Sequence, residues 1–182
     1  MPSLDTRAAA VRLLILDVDG VLTDGRLYYG ENNEHFRAFH VRDGLGIRLL
    51  VESGVAVAVI SGRSSRSLAT RLEPLGVRDI YQGQEDKQPA FAELLNRHRL
   101  VADQVAYMGD DLQDLPLLSQ VGFAATVADG HPRAKERAHW IAPSGGGRGA
   151  VRELCELLLD AQGNLAPLLA TRYAPSAAGT AR

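Results

Sequence analysis

A single cysteine, Cys155, stands in the 182-residue chain, so no internal disulfide can form, and its place on an apolar helical stripe reads as core packing rather than a catalytic thiol. No stretch approaches the ~18 to 20 apolar residues of a membrane-spanning helix, and the opening MPSLDTRAAAVR lacks the apolar centre of a secretion signal. Both absences predict a cytoplasmic protein with no membrane partner. There is no basic cluster and the formal net charge is −2, so a nucleic-acid surface, which requires a strongly positive face, is not expected. Lysine is scarce too. The 20 basic residues are 18 Arg and two Lys, Lys87 and Lys135, so a position that keeps lysine is a candidate for a task that needs an ammonium.

What is present fits one soluble domain. Hydrophobic residues at 46% and charged residues at 23% are ordinary for a globular protein, and the length suffices for one well-buried α/β core but is short for two. Short apolar runs alternate with helical patterns, the rhythm of a parallel sheet with helices on both faces, a Rossmann-like arrangement. Strands are predicted at Leu13–Leu16, Val55–Ile60, Asp79–Tyr81, Val105–Met108 and Phe123–Val127, with a sixth at Trp140–Ala142. Helices are predicted over Gly44–Ser53 with Asp43 as N-cap, over Ser64–Leu75 and over Pro89–Arg99, and a further apolar stripe runs through Val151, Leu154, Cys155, Leu158 and Leu159. Leu27–Phe39, with β-formers on either side of GENN, reads as a β-hairpin projecting after the first strand. The domain is expected to span 1–162, followed by a small-residue tail over 163–182 that is flexible or packs on a neighbour.

The stretch LLILDVDGVLTDG sets a buried-type aliphatic run against two aspartates spaced by one residue. Side chains at i and i+2 of extended chain point the same way, so Asp17 and Asp19 face one pocket, and Gly20 lets the backbone turn away. Two adjacent carboxylates repel each other and resist burial unless a cation sits between them. Ligands of open parallel sheets bind beyond the carboxyl ends of the strands. There the other predicted strands supply Ser61-Gly62-Arg63, the segment reaching Lys87, and Gly109-Asp110-Asp111 with Asp114 close behind. Asp17, Asp19 and Asp110 make an all-oxygen donor set suited to Mg²⁺. Zinc lacks its usual Cys or His here, and a twelve-residue calcium loop counted from Asp17 ends on Tyr28 instead of glutamate. A carboxylate that attacks phosphorus must overcome anion–anion repulsion, which a metal and Lys87 would relieve. Lys87 precedes Pro89 at a helix start, where a lone cation is disfavoured unless an anion lies beside it. Ser61, ahead of a helix that Ser64 or Ser65 could cap, offers a hydroxyl and N–H groups to the same anion.

In this order, D-x-D-G after the first strand, Ser after the second, Lys after the third and G-D-D-x-x-D after the fourth resemble the four motifs of the haloacid dehalogenase superfamily of phosphotransferases. Within it, DVDGVLTDG, AFHVRDGLGI, VISGRSS, YQGQEDK, MGDDLQDLP, VADGHP and GGRGAVRE resemble the capless family of 3-deoxy-D-manno-octulosonate 8-phosphate phosphatases, over roughly Leu13 to Gln162. The resemblance implies Asp17 as nucleophile and Asp19 as general acid/base. It implies Mg²⁺ held by the Asp17 side chain, the Asp19 backbone carbonyl and Asp110, with Ser61 and Lys87 on the phosphoryl group and Asp114 steadying Lys87 or a metal-bound water. Only 44 positions separate Asp17 from Ser61 and 26 separate Ser61 from Lys87, which leaves no room for a cap domain. A neighbouring subunit of a homotetramer is then expected to close the site, as the resembled family implies. Arg63 and Arg148 are candidates for the carboxylate of a phosphorylated sugar acid, with structural pairing an open alternative for both. Gly145–Gly147 reads equally as a flexible linker, and His40 and His131 as surface or packing residues. A receiver domain, a non-catalytic accessory module and a phosphatase for another sugar-acid phosphate, such as a nonulosonate 9-phosphate, are the rival readings.

Overall fold

The computed structural model describes residues 2–30 and 35–173, with His35 described by its backbone alone. Six strands form one sheet in the order β5-β4-β1-β6-β7-β8, and every adjacent pair is parallel. These are β1 (Leu13–Leu16), β4 (Ala56–Ile60), β5 (Asp79–Tyr81), β6 (Val105–Met108), β7 (Phe123–Thr126) and β8 (Trp140–Ile141). The predicted strands match to within a residue at either end. Such strands are legible because a parallel sheet covered on both faces buries every side chain, which gives continuous apolar runs such as LLIL.

The alternation of side chains divides the core in two. Leu14, Leu16, Val57, Val59, Ala106 and Met108 face a layer built from α1 (Leu4–Ala9), α2 (Val41–Glu52), α3 (Arg66–Leu72) and α7 (Ala150–Ala161). Leu13, Ile15, Ala58, Ile60, Val105 and Tyr107 face α4 (Gln88–His98), α5 (Leu115–Leu118) and α6 (Pro132–Arg137). Cys155 is fully buried in the first layer, and burial pushes its thiol pKa up, so it is packing and not chemistry. Among the described residues, a tight turn over Val18–Leu22, a two-stranded antiparallel hairpin, β2 (Tyr28–Tyr29) with β3 (His35–Phe36), and α2 lie between β1 and β4. Between β4 and β5 the one long element is α3. Among the described residues neither connection holds a cap domain, and no helix is long and apolar enough to cross a membrane. The tip of the predicted hairpin, residues 31–34, lies outside the described residues.

Three expectations need correction. Asp43 does not cap the helix that follows it: α2 begins at Val41 with His40 as N-cap. Asp43 is instead 2% exposed, and its Oδ1 accepts the backbone N–H of Arg152 at 2.9 Å, so it caps the first turn of α7, a helix 109 residues away. Neither Ser64 nor Ser65 caps α3 through its side chain. Ser65 occupies the N-cap position, but its hydroxyl pairs with that of Ser67. The segment from residue 163 is not a flexible tail throughout. Leu165–Tyr173 forms α8, whose Leu165 and Leu168 pack on the first core layer and whose Arg172 pairs with Glu52. Residues 174–182 lie outside the described residues.

Candidate active site

The first strand of the chain is central in the sheet, with β4 on one side and β6 on the other, so the chain leaves in opposite directions from neighbouring strand ends and opens a crevice there. Asp17 is the first residue beyond β1, tied to β6 by its N–H donating to the Met108 carbonyl at 3.0 Å. The backbone then winds tightly over Val18–Leu22, with Gly20 at φ +100°. A Cβ on Gly20 would lie 2.1 Å from Asp110 Oδ2, so only glycine lets the Asp17 turn and the Asp110 carboxylate share the space. The glycine loop packs directly behind this turn. A Cβ at Gly146 would come within 1.8 Å of the Gly20 carbonyl oxygen, and Gly147 N–H donates to Val21 O at 2.9 Å. Gly145–Gly147 is therefore a buttress of the turn and not a linker.

Lys87, at the N-cap of α4, enters the crevice from the other core layer with its side chain fully buried. Its ammonium has three hydrogens and three acceptors: Asp17 Oδ1 at 2.7 Å, Asp114 Oδ1 at 2.6 Å and the Tyr107 hydroxyl at 3.1 Å. Burial works against the cation, but the two carboxylates outweigh it and its pKa ends above the ordinary lysine value. Tyr107 donates to Asp114 Oδ1 at 2.5 Å, and burial holds its pKa well above the usual phenol value, so it remains a donor. The second oxygen of Asp114 accepts the N–H groups of Asp110 at 2.9 Å and Asp111 at 3.1 Å. All four acceptor positions of Asp114 are in use, which makes it the anchor of Lys87 and of the loop after β6. Asp111 turns outward and accepts from Leu112 N–H at 2.7 Å.

Asp17, Asp110 and Asp114 each place a carboxylate oxygen within 4.8 Å of the others. With Asp114 saturated, the unused acceptors are Asp17 Oδ2 and Asp110 Oδ1, both buried and without a hydrogen-bond partner. Burial, reinforced by repulsion from Asp114, pushes the Asp17 pKa to about 7 despite Lys87, and burial with repulsion from Asp17 and Asp114 pushes that of Asp110 to about 8. Two buried carboxylate oxygens without a hydrogen-bond partner are what a hard divalent cation would satisfy, so the residues present fit Mg²⁺.

The other side of the site is more open. Asp17, Asp19, Gly62, Arg63, Glu85 and Gln113 line a cavity of about 410 Å³, within the range of small-molecule sites. Ser61 is 1% exposed, held by its N–H donating to Tyr81 O at 2.9 Å, and its hydroxyl accepts Arg63 N–H at 3.3 Å. Asp19 is gripped by Arg37, whose Nε donates to Oδ1 at 2.7 Å and Nη2 to Oδ2 at 2.9 Å. Arg63 Nε lies 4.0 Å from Asp19 Oδ2. Of the sequence-predicted residues, Asp17, Asp19, Ser61, Arg63, Lys87, Asp110 and Asp114 thus gather at one strand-end crevice. Arg148 does not line that cavity; it lines a separate one of about 230 Å³ with Arg42 and Arg152. Tyr107, Arg37, Glu85 and Gln113 were not anticipated. Tyr107 has a core residue's alternation in its strand, and Arg37 is one arginine among 18.

Comparison with known proteins places this geometry. A family model for haloacid dehalogenase-like hydrolases matches residues 74–154. The 3-deoxy-D-manno-octulosonate 8-phosphate phosphatase of Salmonella typhimurium is 49% identical over 164 residues, 90% of this chain and 87% of that protein. The crystal structure of the Yersinia pestis phosphatase of the same name superposes with a TM-score of 0.88 at 50% identity, covering 90% of this chain and 88% of the other. That of the Moraxella catarrhalis phosphatase, a complex with magnesium ion, phosphate ion and KDO, superposes with a TM-score of 0.90 at 39% identity, covering 92% and 97%. The chain belongs to the 3-deoxy-D-manno-octulosonate 8-phosphate phosphatase family of the haloacid dehalogenase-like hydrolases.

Proposed function

We propose that this chain is a Mg²⁺-dependent phosphatase that hydrolyses 3-deoxy-D-manno-octulosonate 8-phosphate to the free sugar acid and phosphate. The observation that carries the mechanism is the asymmetry of Asp17: one oxygen is fixed by Lys87 and the other is buried with no partner. Asp17, Asp110 and the backbone carbonyl of Asp19 would hold Mg²⁺, which when bound offsets the negative charge of the carboxylates and the phosphate. Lys87 and Ser61 bind the phosphoryl oxygens. An Asp17 oxygen attacks phosphorus, the bond to the sugar oxygen breaks, and Asp19 donates a proton to that oxygen. Asp19 then takes a proton from a water that attacks the aspartyl-phosphate, and the bond between Asp17 and phosphorus breaks to release phosphate. Asp114 and Tyr107 keep Lys87 in place. Arg63, on the cavity wall, suits the substrate carboxylate.

The crevice of one chain is open, and Tyr28 and Phe36 of the hairpin are 51% and 59% exposed, which supports a homotetramer whose hairpins meet and whose neighbouring subunit covers the site. The test is kcat/KM over a panel of phosphorylated sugars and sugar acids, with Mg²⁺ and with chelator, alongside Asp17→Asn. The eight-carbon sugar-acid phosphate should lead the panel, chelator should abolish turnover, and Asp17→Asn should lower kcat by about 10³-fold or more while the fold is kept. Preference for a nonulosonate 9-phosphate would move the assignment to that substrate, and wild-type turnover in Asp17→Asn would refute the nucleophile.

A further inference from the structure

Asp19 is oriented by more than its own backbone. A single guanidinium, that of Arg37, takes both its oxygens at 2.7 and 2.9 Å. Arg37 follows directly on β3, so the grip on the catalytic turn comes from the hairpin. Its side chain is 2% exposed, against 20% for Asp19 and 54% for Arg63. Arg37 is not among the residues lining the cavity, whereas Asp19 and Arg63 are. The guanidinium therefore meets Asp19 from outside the cavity wall. The contact is also costly: Arg37 Nη1 is buried without a partner. A partly buried ion pair that leaves a buried donor unsatisfied is a poor device for stability. A planar bidentate fork, on the other hand, fixes the plane of a carboxylate in a way that a point charge cannot. An ionised carboxylate has roughly four acceptor positions, so a two-point grip leaves others free for a proton.

We propose that Arg37 is a positioning residue for the phosphatase reaction: it holds the Asp19 carboxylate in the orientation from which it serves the leaving oxygen and then the attacking water. The seating of the hairpin is thereby tied to the chemical step. This inference rests on the acid/base assignment of Asp19, and a double-mutant cycle separates the two. Arg37→Met, Arg37→Lys, Asp19→Asn and Asp19→Asn/Arg37→Met are assayed by phosphate release with Mg²⁺, each rate normalised to the folded fraction from circular dichroism. Arg37→Met should lower kcat by about 10- to 100-fold, the scale of a misplaced catalytic group. KM for the sugar-acid phosphate should stay within about threefold, as expected when an interaction serves the transition state alone. Arg37→Lys should recover part of the loss, and Arg37→Met should slow Asp19→Asn by less than about twofold, because its partner is already gone. Wild-type kcat in Arg37→Met, a loss confined to KM, or losses that multiply in the double variant would each overturn the inference while leaving Asp19 in its role. Wild-type turnover in Asp19→Asn would overturn both.

Discussion

Asp17 and Asp19 are two residues apart in the chain and live in opposite settings. Asp17 is 1% exposed and meets Lys87, whose other partners, Asp114 and Tyr107, are themselves completely buried. Asp19 is 20% exposed and meets Arg37 from the hairpin and Arg63 from the rim, the latter 54% exposed. The first group grows from β1, β6 and the start of α4, elements that carry both core layers. The second depends on a hairpin whose strands are two residues each. The half around Asp17 is built into the packed interior, and the half around Asp19 lies at the periphery. Such a division lets a scaffold keep its chemistry while loops choose the substrate.

The contrast is most sharply tested at Lys87. Lys87→Met should keep the side-chain volume but leave Asp17 and Asp114 as buried carboxylates without a cation. The expected cost is about 3–5 kcal/mol of stability at neutral pH, read from urea unfolding, together with loss of turnover. A variant as stable as the wild type would mean that the interior half is far wetter than its burial implies.

A smaller effect follows from pH. Burial and like-charge neighbours lift Asp17 from 3.8 to about 7 and Asp110 from 3.8 to about 8 in the metal-free site. Between pH 4 and pH 8 these two groups bind protons in the folded state that the unfolded chain has lost, so their contribution to stability is fully present below pH 4 and falls as pH rises through that window. The melting temperature of the metal-free protein should drop by several degrees from pH 5 to pH 8. Mg²⁺ requires ionised donors and should raise the melting temperature more at pH 8 than at pH 5. A Mg²⁺ shift independent of pH would remove Asp17 and Asp110 from the metal site.

The same division separates what the sequence reveals from what it conceals. The interior half is legible because its aspartates and Ser61 follow strands directly, D-x-D-G after LLIL, Ser61 after AVAVI and G-D-D after VAYM, and because Lys87 is one of only two lysines. Even there Tyr107 is hidden, because its ring belongs to the core and only its hydroxyl reaches the site. Contacts between elements distant in the chain left no local mark. Asp43 looks like the cap of the next helix and caps one 109 residues on, and the SGGGRGA loop looks like a linker and braces the turn that follows Asp17. Arg37 sits 18 residues from the aspartate it holds, inside a hairpin with no helical or strand period long enough to place it. A small-residue tail concealed α8, because two leucines are enough to anchor a short helix on an existing core.

The smallest expected effect belongs to the rim. Arg63 is more than half exposed and its Nε is 4.0 Å from Asp19, so its ion pair is screened and contributes little to folding. Arg63→Ala should leave the melting temperature within about 1 °C of wild type, as most exposed substitutions do. Its expected signature is kinetic: KM for the sugar-acid phosphate rises several-fold while KM for a neutral sugar phosphate does not, because only the former has a carboxylate for the fork to meet. Equal changes for both substrates would show that Arg63 reads the phosphate. A fall in kcat at unchanged KM would show that it acts through Asp19, and the boundary between the fixed half of the site and its adaptable half would then run outside Arg63 instead of inside it.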